Sequence, residues 1–255
     1  LVIGGYDGSG AYETNCIIDD VRIYNYARSA GQIAYDYNRG KPVAHYKFDE
    51  GTGAIAHNEY STADTGAAPV GWWRMDEGTS TSTADSSGNS NTGTLATAPA
   101  TPTWSASSKI GPNCLSFDGA DDYVNCGNGT SLNITGSLTL AAWVKLNANP
   151  SVSWDIVSKT QTTVVDGYRL SKDNSPTEFQ FAIRTGAETE LYSGVSPIAG
   201  TWYYVVGTYD GSNMRIYVDG VEKNSVAKTG LIVTTSTNCV IGARNGGASN
   251  LLNGL

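Results

Sequence analysis

Leu138-Thr139-Leu140-Ala141-Ala142-Trp143-Val144-Lys145-Leu146 is the stretch on which the fold turns. Leu138, Leu140, Ala142, Val144 and Leu146 recur at every second position, so an extended chain puts them on one face. The same period returns at Phe179, Phe181 and Ile183, at Trp202, Tyr204 and Val206, and at Ile216 with Val218. Asp-Gly pairs at 118–119, 210–211 and 219–220 separate these runs and mark tight turns. Many alternating strands of this length predict an all-β protein built from two packed antiparallel sheets. One short helix is expected from about Ser29, as N-cap, to Tyr37, ended by Asn38-Arg39-Gly40.

The 255 residues suffice for one large β domain with extra pieces. Net charge is −8 with a sequence pI near 4.7, and no basic stripe is present to displace counterions from phosphate. Nucleic acid is therefore excluded as a partner. Divalent cations and neutral ligands such as sugars remain compatible. No apolar run approaches a membrane span. Cys114 and Cys126 lie symmetrically about Ala120, and a hairpin there would bring them face to face as a disulfide; the other reading is two buried thiols. A disulfide would imply an oxidising, extracytoplasmic home. Asn128-Gly129-Thr130 and Asn133-Ile134-Thr135 match the glycosylation acceptor pattern, which is common by chance.

The chain also repeats itself. Val2-Ile3-Gly4 returns as Val240-Ile241-Gly242, 238 positions later. In the first copy an Ile17-Ile18-Asp19-Asp20-Val21-Arg22-Ile23-Tyr24-Asn25 strand follows; in the second the chain stops at Asn253-Gly254-Leu255. The reading is a window across a tandem array, with both ends truncated. Residues 1–40 would be the tail of one repeat, 41–69 a linker, and 70–255 the next repeat without its last strand. The linker carries an earlier version, Val43 to Gly51, of the Val70-Gly71-Trp72-Trp73-Arg74-Met75-Asp76-Glu77-Gly78 first strand.

Several of these runs carry a family. Phe117-Asp118-Gly119-Ala120-Asp121-Asp122-Tyr123-Val124, Ala142-Trp143-Val144-Lys145, Gly200 to Gly211, Arg215-Ile216-Tyr217-Val218-Asp219-Gly220 and the Ile18 to Asn25 strand occur in order. Together they resemble the laminin-G-like, concanavalin-A-like jelly-roll domains. The resemblance implies a two-sheet jelly-roll sandwich of a kind that recurs as tandem modules in bacterial extracellular proteins. It says little about activity, because the fold hosts lectins, adhesion modules, glycosidases and spacers. One departure matters: 70–255 lacks its own terminal strand, which leaves a sheet edge unpaired. Residues 17–25 have the chemistry of that strand, and they are expected to fold back and complete the domain.

Catalysis is poorly supplied. Carbohydrate-cleaving relatives of this fold carry a Glu-x-Asp-x-x-Glu set on one strand, and this chain has none. Glu188-Thr189-Glu190 offers two acids on one face without a third. His45 and His57, the two histidines, lie outside the domain body. Calcium wants clustered oxygens, and two loops offer them: Asp85 with Asn89, and Asp118 with Asp121 and Asp122. In both, the same residues serve equally well as turn formers. Strand parity suggests a sugar face. With Leu138, Leu140, Phe179, Phe181, Ile216 and Val218 turned inward, Trp143, Gln180, Arg184, Arg215 and Tyr217 turn outward. Such a face stacks sugar rings on aromatics and takes hydroxyls with planar polar groups. It can equally be aromatic cover for the sheet. The expectation is a non-catalytic extracellular or cell-surface module that binds glycans or a surface protein, with calcium as a candidate cofactor and neighbouring repeats as partners. A passive spacer or protein-binding repeat is the alternative, and a glycosidase the third.

Overall fold

The computed structural model describes residues 15–38, 66–119, 121–147, 153–161 and 166–243. The first Val2-Ile3-Gly4 copy, the Val43 to Gly51 copy, His45 and His57 lie outside the described residues. Among the described residues no helix is long and apolar enough to cross a membrane.

Among the described residues, two antiparallel sheets of eight strands face each other. The strands in chain order are β1 (Asn15–Tyr24), β2 (Gly71–Trp73), β3 (Ser82–Thr83), β4 (Gly93–Leu95), β5 (Thr103–Ser105), β6 (Cys114–Asp118), β7 (Val124–Asn125) and β8 (Leu138–Leu146). They continue as β9 (Trp154–Lys159), β10 (Tyr168–Lys172), β11 (Phe179–Thr185), β12 (Ala187–Tyr192), β13 (Trp202–Tyr209), β14 (Asn213–Val218), β15 (Val221–Ala227) and β16 (Val240–Ile241). The first sheet runs β15-β14-β13-β8-β1-β6-β5, with β2 also on β1; the second runs β12-β11-β10-β9-β16-β7-β4-β3. This is the jelly-roll sandwich that the alternation predicts. The inward sets of both sheets, including Leu138, Leu140, Phe179, Phe181, Ile216 and Trp154, form one buried core.

β1 occupies an interior position. Cys16 to Ile18 pair with Phe117 to Leu115 on one side, and Cys16 to Tyr24 pair with β8 on the other. Ile18, Val21 and Ile23 are wholly buried in the core. Helix α1 (Ala30–Tyr37) follows, and Ser29 caps it. The Ser29 hydroxyl accepts from the Gln32 amide, and the Gln32 side chain accepts from the Ser29 amide, a reciprocal capping box. Asp36 then ties the helix down: it pairs with Arg22 at 3.1 Å and Arg28 at 2.9 Å, and accepts from the Tyr204 hydroxyl.

The expected Cys114–Cys126 disulfide is absent, and all four cysteines are free thiols. The segment between them is no hairpin. Cys114 starts β6, which pairs with β1 and β5 in the first sheet. Cys126 directly follows β7, which pairs with β4 and β16 in the second. The chain thus passes from one sheet at Asp118 to the other at Val124. Cys126 instead faces Cys239, its amide donating to the Cys239 carbonyl at 2.7 Å.

Candidate functional site on the outer face of the second sheet

The five residues expected to form one sugar face do not meet. Trp143 and Tyr217 belong to the first sheet, on β8 and β14, and do point away from the core. There, however, α1 covers them. Trp143 is 1% exposed; its ring stacks on Tyr37 at 5.5 Å and lies tilted against Tyr204 at 5.2 Å, and the two tyrosines stand 6.4 Å apart, so the three rings form a triangle. Lys109 Nζ sits 4.5 Å from its ring centroid. Tyr217 is buried in the same cluster and donates to Glu222. Arg215 lies beside it, engaged with Asp210 at 2.6 Å. Strand parity is correct at these positions, but an outward side chain is available only where nothing packs on the sheet.

Gln180 and Arg184 lie on β11 in the second sheet, on the opposite side of the sandwich. Two adjacent ladder rows build a polar network around Gln180, in which Asp155, Ser158, Arg169, Ser171 and Gln180 are themselves buried and the rim residues Tyr192 and Glu190 are accessible. One row runs Asp155, Ser171, Gln180, Tyr192 across β9 to β12; the next runs Ser158, Arg169, Ala182, Glu190. Their inward neighbours Trp154, Leu170, Phe179, Phe181 and Leu191 are in the core, so alternation turns these residues outward.

Gln180 is the hub. Its Oε1 accepts from Arg169 Nε at 3.0 Å, Arg169 Nη2 at 2.5 Å and Ser171 Oγ at 3.1 Å. Its Nε2 donates to Asp173 Oδ2 at 3.3 Å. Arg169 crosses β11 over the small Ala182 and donates also to Glu190, with Glu188 at 3.8 Å. Tyr192 closes the network, its single hydroxyl proton facing Asp173 at 2.9 Å and Glu190 at 3.1 Å, so that it donates to one of the two at a time. Asp173 further accepts from Ser153. Burial raises the Asp173 carboxyl, but hydrogen bonds from Ser153, Tyr192 and the Asn174 amide, with Arg169 nearby, outweigh it and hold the group below the usual carboxylate range. Burial and the two carboxylates push the Tyr192 phenol far up, so it stays a donor. Glu188 and Glu190 are exposed, and Tyr192 and Asp173 half-buried, at the rim of this network. Arg184 sits at the far end of β11, its Nε on the Gly186 carbonyl. Sequence reading missed Arg169 and Tyr192. The run Tyr168-Arg169-Leu170-Ser171-Lys172 alternates too, and its polar positions were the available signal.

The two expected metal loops differ. Asp85 is saturated: its carboxylate accepts from the amides of Trp72, Ser87 and Asn91 and from the Asn91 side chain. Asn89 turns its NH₂ toward the Val70 carbonyl, a donor where a cation needs an acceptor. This loop is a turn built on its own amides. Asp118, Asp121 and Asp122 do converge, with one oxygen from each within 4.8 Å of the others. Asp122 also accepts from the Asp118 amide at 2.7 Å. Burial, with Asp118 and Asp121 beside it, raises the Asp122 carboxyl.

No curated protein matches the sequence. Solved structures similar to the chain include domain 4 of AbnA, a GH43 extracellular arabinanase from Geobacillus stearothermophilus, in complex with arabinotriose. Identity there is 15%, the TM-score 0.48, and the match covers 67% of this chain and 83% of that one. A mutant of HCR/D is similar at 15% identity and a TM-score of 0.49, over 64% of this chain and 42% of that one. The family profile of the concanavalin A-like lectin/glucanases matches residues 118–255. That span exceeds half of the chain and contains the strands from β7 to β16, and on it the protein belongs to the concanavalin A-like lectin/glucanases superfamily.

Proposed function

We propose that the chain is a non-catalytic glycan-binding module whose ligand lies on the outer face of β9 to β12. The observation that carries this reading is the Arg169–Gln180–Asp173–Glu190–Tyr192 network. It is a rigid set of planar polar groups beside one aromatic ring, the combination that sugar hydroxyls and ring faces require. Six carboxylates (Asp155, Asp166, Asp173, Glu178, Glu188, Glu190) outnumber four cations (Lys159, Arg169, Lys172, Arg184) on these strands and the loops that join them, which favours neutral sugars over anionic ones. Glu190 is exposed and engaged by the Arg169 guanidinium within the network, which supports binding over hydrolysis.

We read the parent protein as an extracellular tandem-repeat protein, with residues 1–40 as the tail of a preceding repeat. The pairing of β1 inside the sheet formed by 70–255 supports that assignment. Calcium at Asp118, Asp121 and Asp122 is part of the same reading, supported by the convergence of their oxygens. A glycan-array screen of the folded chain, run with calcium and with chelator, tests the function. Binding to neutral oligosaccharides is the expected result. A blank array under both conditions replaces this reading with a spacer or protein-binding repeat.

A further inference from the structure

Two buried thiols that lie far apart in the chain stand side by side in the second sheet. β7 and β16 are antiparallel neighbours, with Asn125 opposite Val240 and Val124 opposite Ile241. The next row of that ladder sets Cys126 opposite Cys239. Two backbone bonds hold the row: the Cys126 amide donates to the Cys239 carbonyl at 2.7 Å, and the Cys239 amide donates to the Gly127 carbonyl at 2.6 Å. Both side chains turn to the same face. Cys126 shares its parity with Val124, and Cys239 shares its parity with Ile241; all four are buried in the one core. A third residue touches the pair: the Tyr168 hydroxyl stands 3.7 Å from Cys239 Sγ. Burial first and the neighbouring Cys126 second push that phenol up.

Directly opposed residues of an antiparallel pair have Cα atoms about 4.5–5.5 Å apart. A disulfide spans Cα distances of about 4.4–6.8 Å. The other pairings fail on the same ground. Cys16 and Cys114 lie in the first sheet, and sheets packed face to face stand about 10 Å apart, beyond that span. Nor do those two meet each other. Cys16 is in the core opposite Phe117, while Leu115 and Phe117 turn inward and so turn Cys114 outward, three positions along. We propose that Cys126 and Cys239 are an oxidisable pair that closes as a cross-strand disulfide, with a small-molecule disulfide of the glutathione class as electron acceptor. The structure describes the reduced form. In the exchange, the thiolate of one cysteine attacks a sulfur of the small disulfide, bonds to it and expels one thiol. The second thiolate then attacks the protein sulfur of that mixed disulfide and expels the other. Two protons and two electrons leave the protein, and the small disulfide takes them up as two thiols. Burial pushes the Cys126 thiol up and shuts both sulfurs from solvent, so the exchange belongs to the folding chain before β16 docks. The bond would pin β16 to β7 and close a long loop, which restricts the unfolded chain. It does not depend on the glycan reading.

The test is thiol counting on the full chain, refolded from denaturant and reductant in a buffer of reduced and oxidised glutathione. The refolded protein is alkylated in fresh denaturant, weighed by mass spectrometry and cut into peptides. The expected result is loss of two of the four thiols, with the peptides of Cys126 and Cys239 joined until reductant is added and Cys16 and Cys114 alkylated. Cys114→Ser keeps the linked peptides, and Cys239→Ser loses them. Reductant lowers the Tm of wild type and leaves that of Cys239→Ser unchanged. Should Cys239→Ser fail to fold, the wild-type peptide map decides alone. Four alkylated thiols in refolded wild type overturn the proposal. So does a bond from Cys126 to Cys114 or Cys16, or any disulfide that persists in folded Cys239→Ser.

Discussion

Trp143 shows how a single residue changes meaning with its surroundings. By sequence it is an aromatic on an outward strand position, suited to a sugar ring. In the fold it is buried in a three-ring cluster with Tyr37 and Tyr204. Trp143→Ala is therefore expected to destabilise the protein by about 3–5 kcal/mol, the range for truncating a buried aromatic, as read by urea unfolding. Trp143→Phe, if folded, should bind glycan as wild type does. Lys159 makes a second prediction at this scale. Its ammonium is buried and donates to Asn128 Oδ1 at 2.6 Å and to the carbonyls of Thr235 and Thr237. Burial lowers it to about 8, with Asp166 opposing. A lysine whose folded pKa lies below its unfolded value binds fewer protons in the native state, so its contribution to stability rises with pH between the two values. Wild type should gain stability relative to Lys159→Met as pH is raised from about 8 to about 10. A constant difference between their melting curves across that window would refute the assignment.

At the scale of elements, the strong alternation of β8, β11, β13 and β14 made them legible, because each buries one full side of a long strand. Helix α1 was legible from its ends: Ser29 and Asn38 are the caps that the sequence suggests. Ser29→Ala should cost about 0.5–2 kcal/mol through loss of the capping box, measured by chemical denaturation. It should loosen the cover over Trp143 as well, seen as increased indole exposure in fluorescence quenching. The short strands β3, β4, β5 and β7 were not legible. Two or three residues are too few to show a period: β5 forms on the edge of the longer β6, while β3, β4 and β7 pair with one another and with the equally short β16. The Cys114 to Cys126 segment failed for a related reason. A symmetric Cys-flanked Asp-Gly turn reads as a hairpin, but β6 and β7 each find a better partner in opposite sheets.

At the scale of the whole molecule, both sheets turn polar residues outward, yet α1 covers only the first. Parity along one strand places a side chain on a face; it does not say which faces share a side of the sandwich. That is why Gln180 and Arg184 were grouped with Trp143, Arg215 and Tyr217, although the sandwich separates them. The outer face of the second sheet then gathers groups from β9 to β12 that lie as far as 37 residues apart, Asp155 to Tyr192, which no local motif could reveal; its accessible part is the rim of Tyr192, Glu188, Glu190 and Asp173 around a buried Gln180. The asymmetry yields a sharp expectation for where a ligand binds. The measurement that tests it most directly is the glycan array repeated on folded Arg169→Ala and Trp143→Phe. The account predicts that Arg169→Ala weakens glycan binding at least tenfold, by removing the group that links Gln180 to Glu190, while Trp143→Phe leaves it intact. Binding that survives Arg169→Ala and disappears with Trp143→Phe would place the ligand on the first sheet and contradict the account.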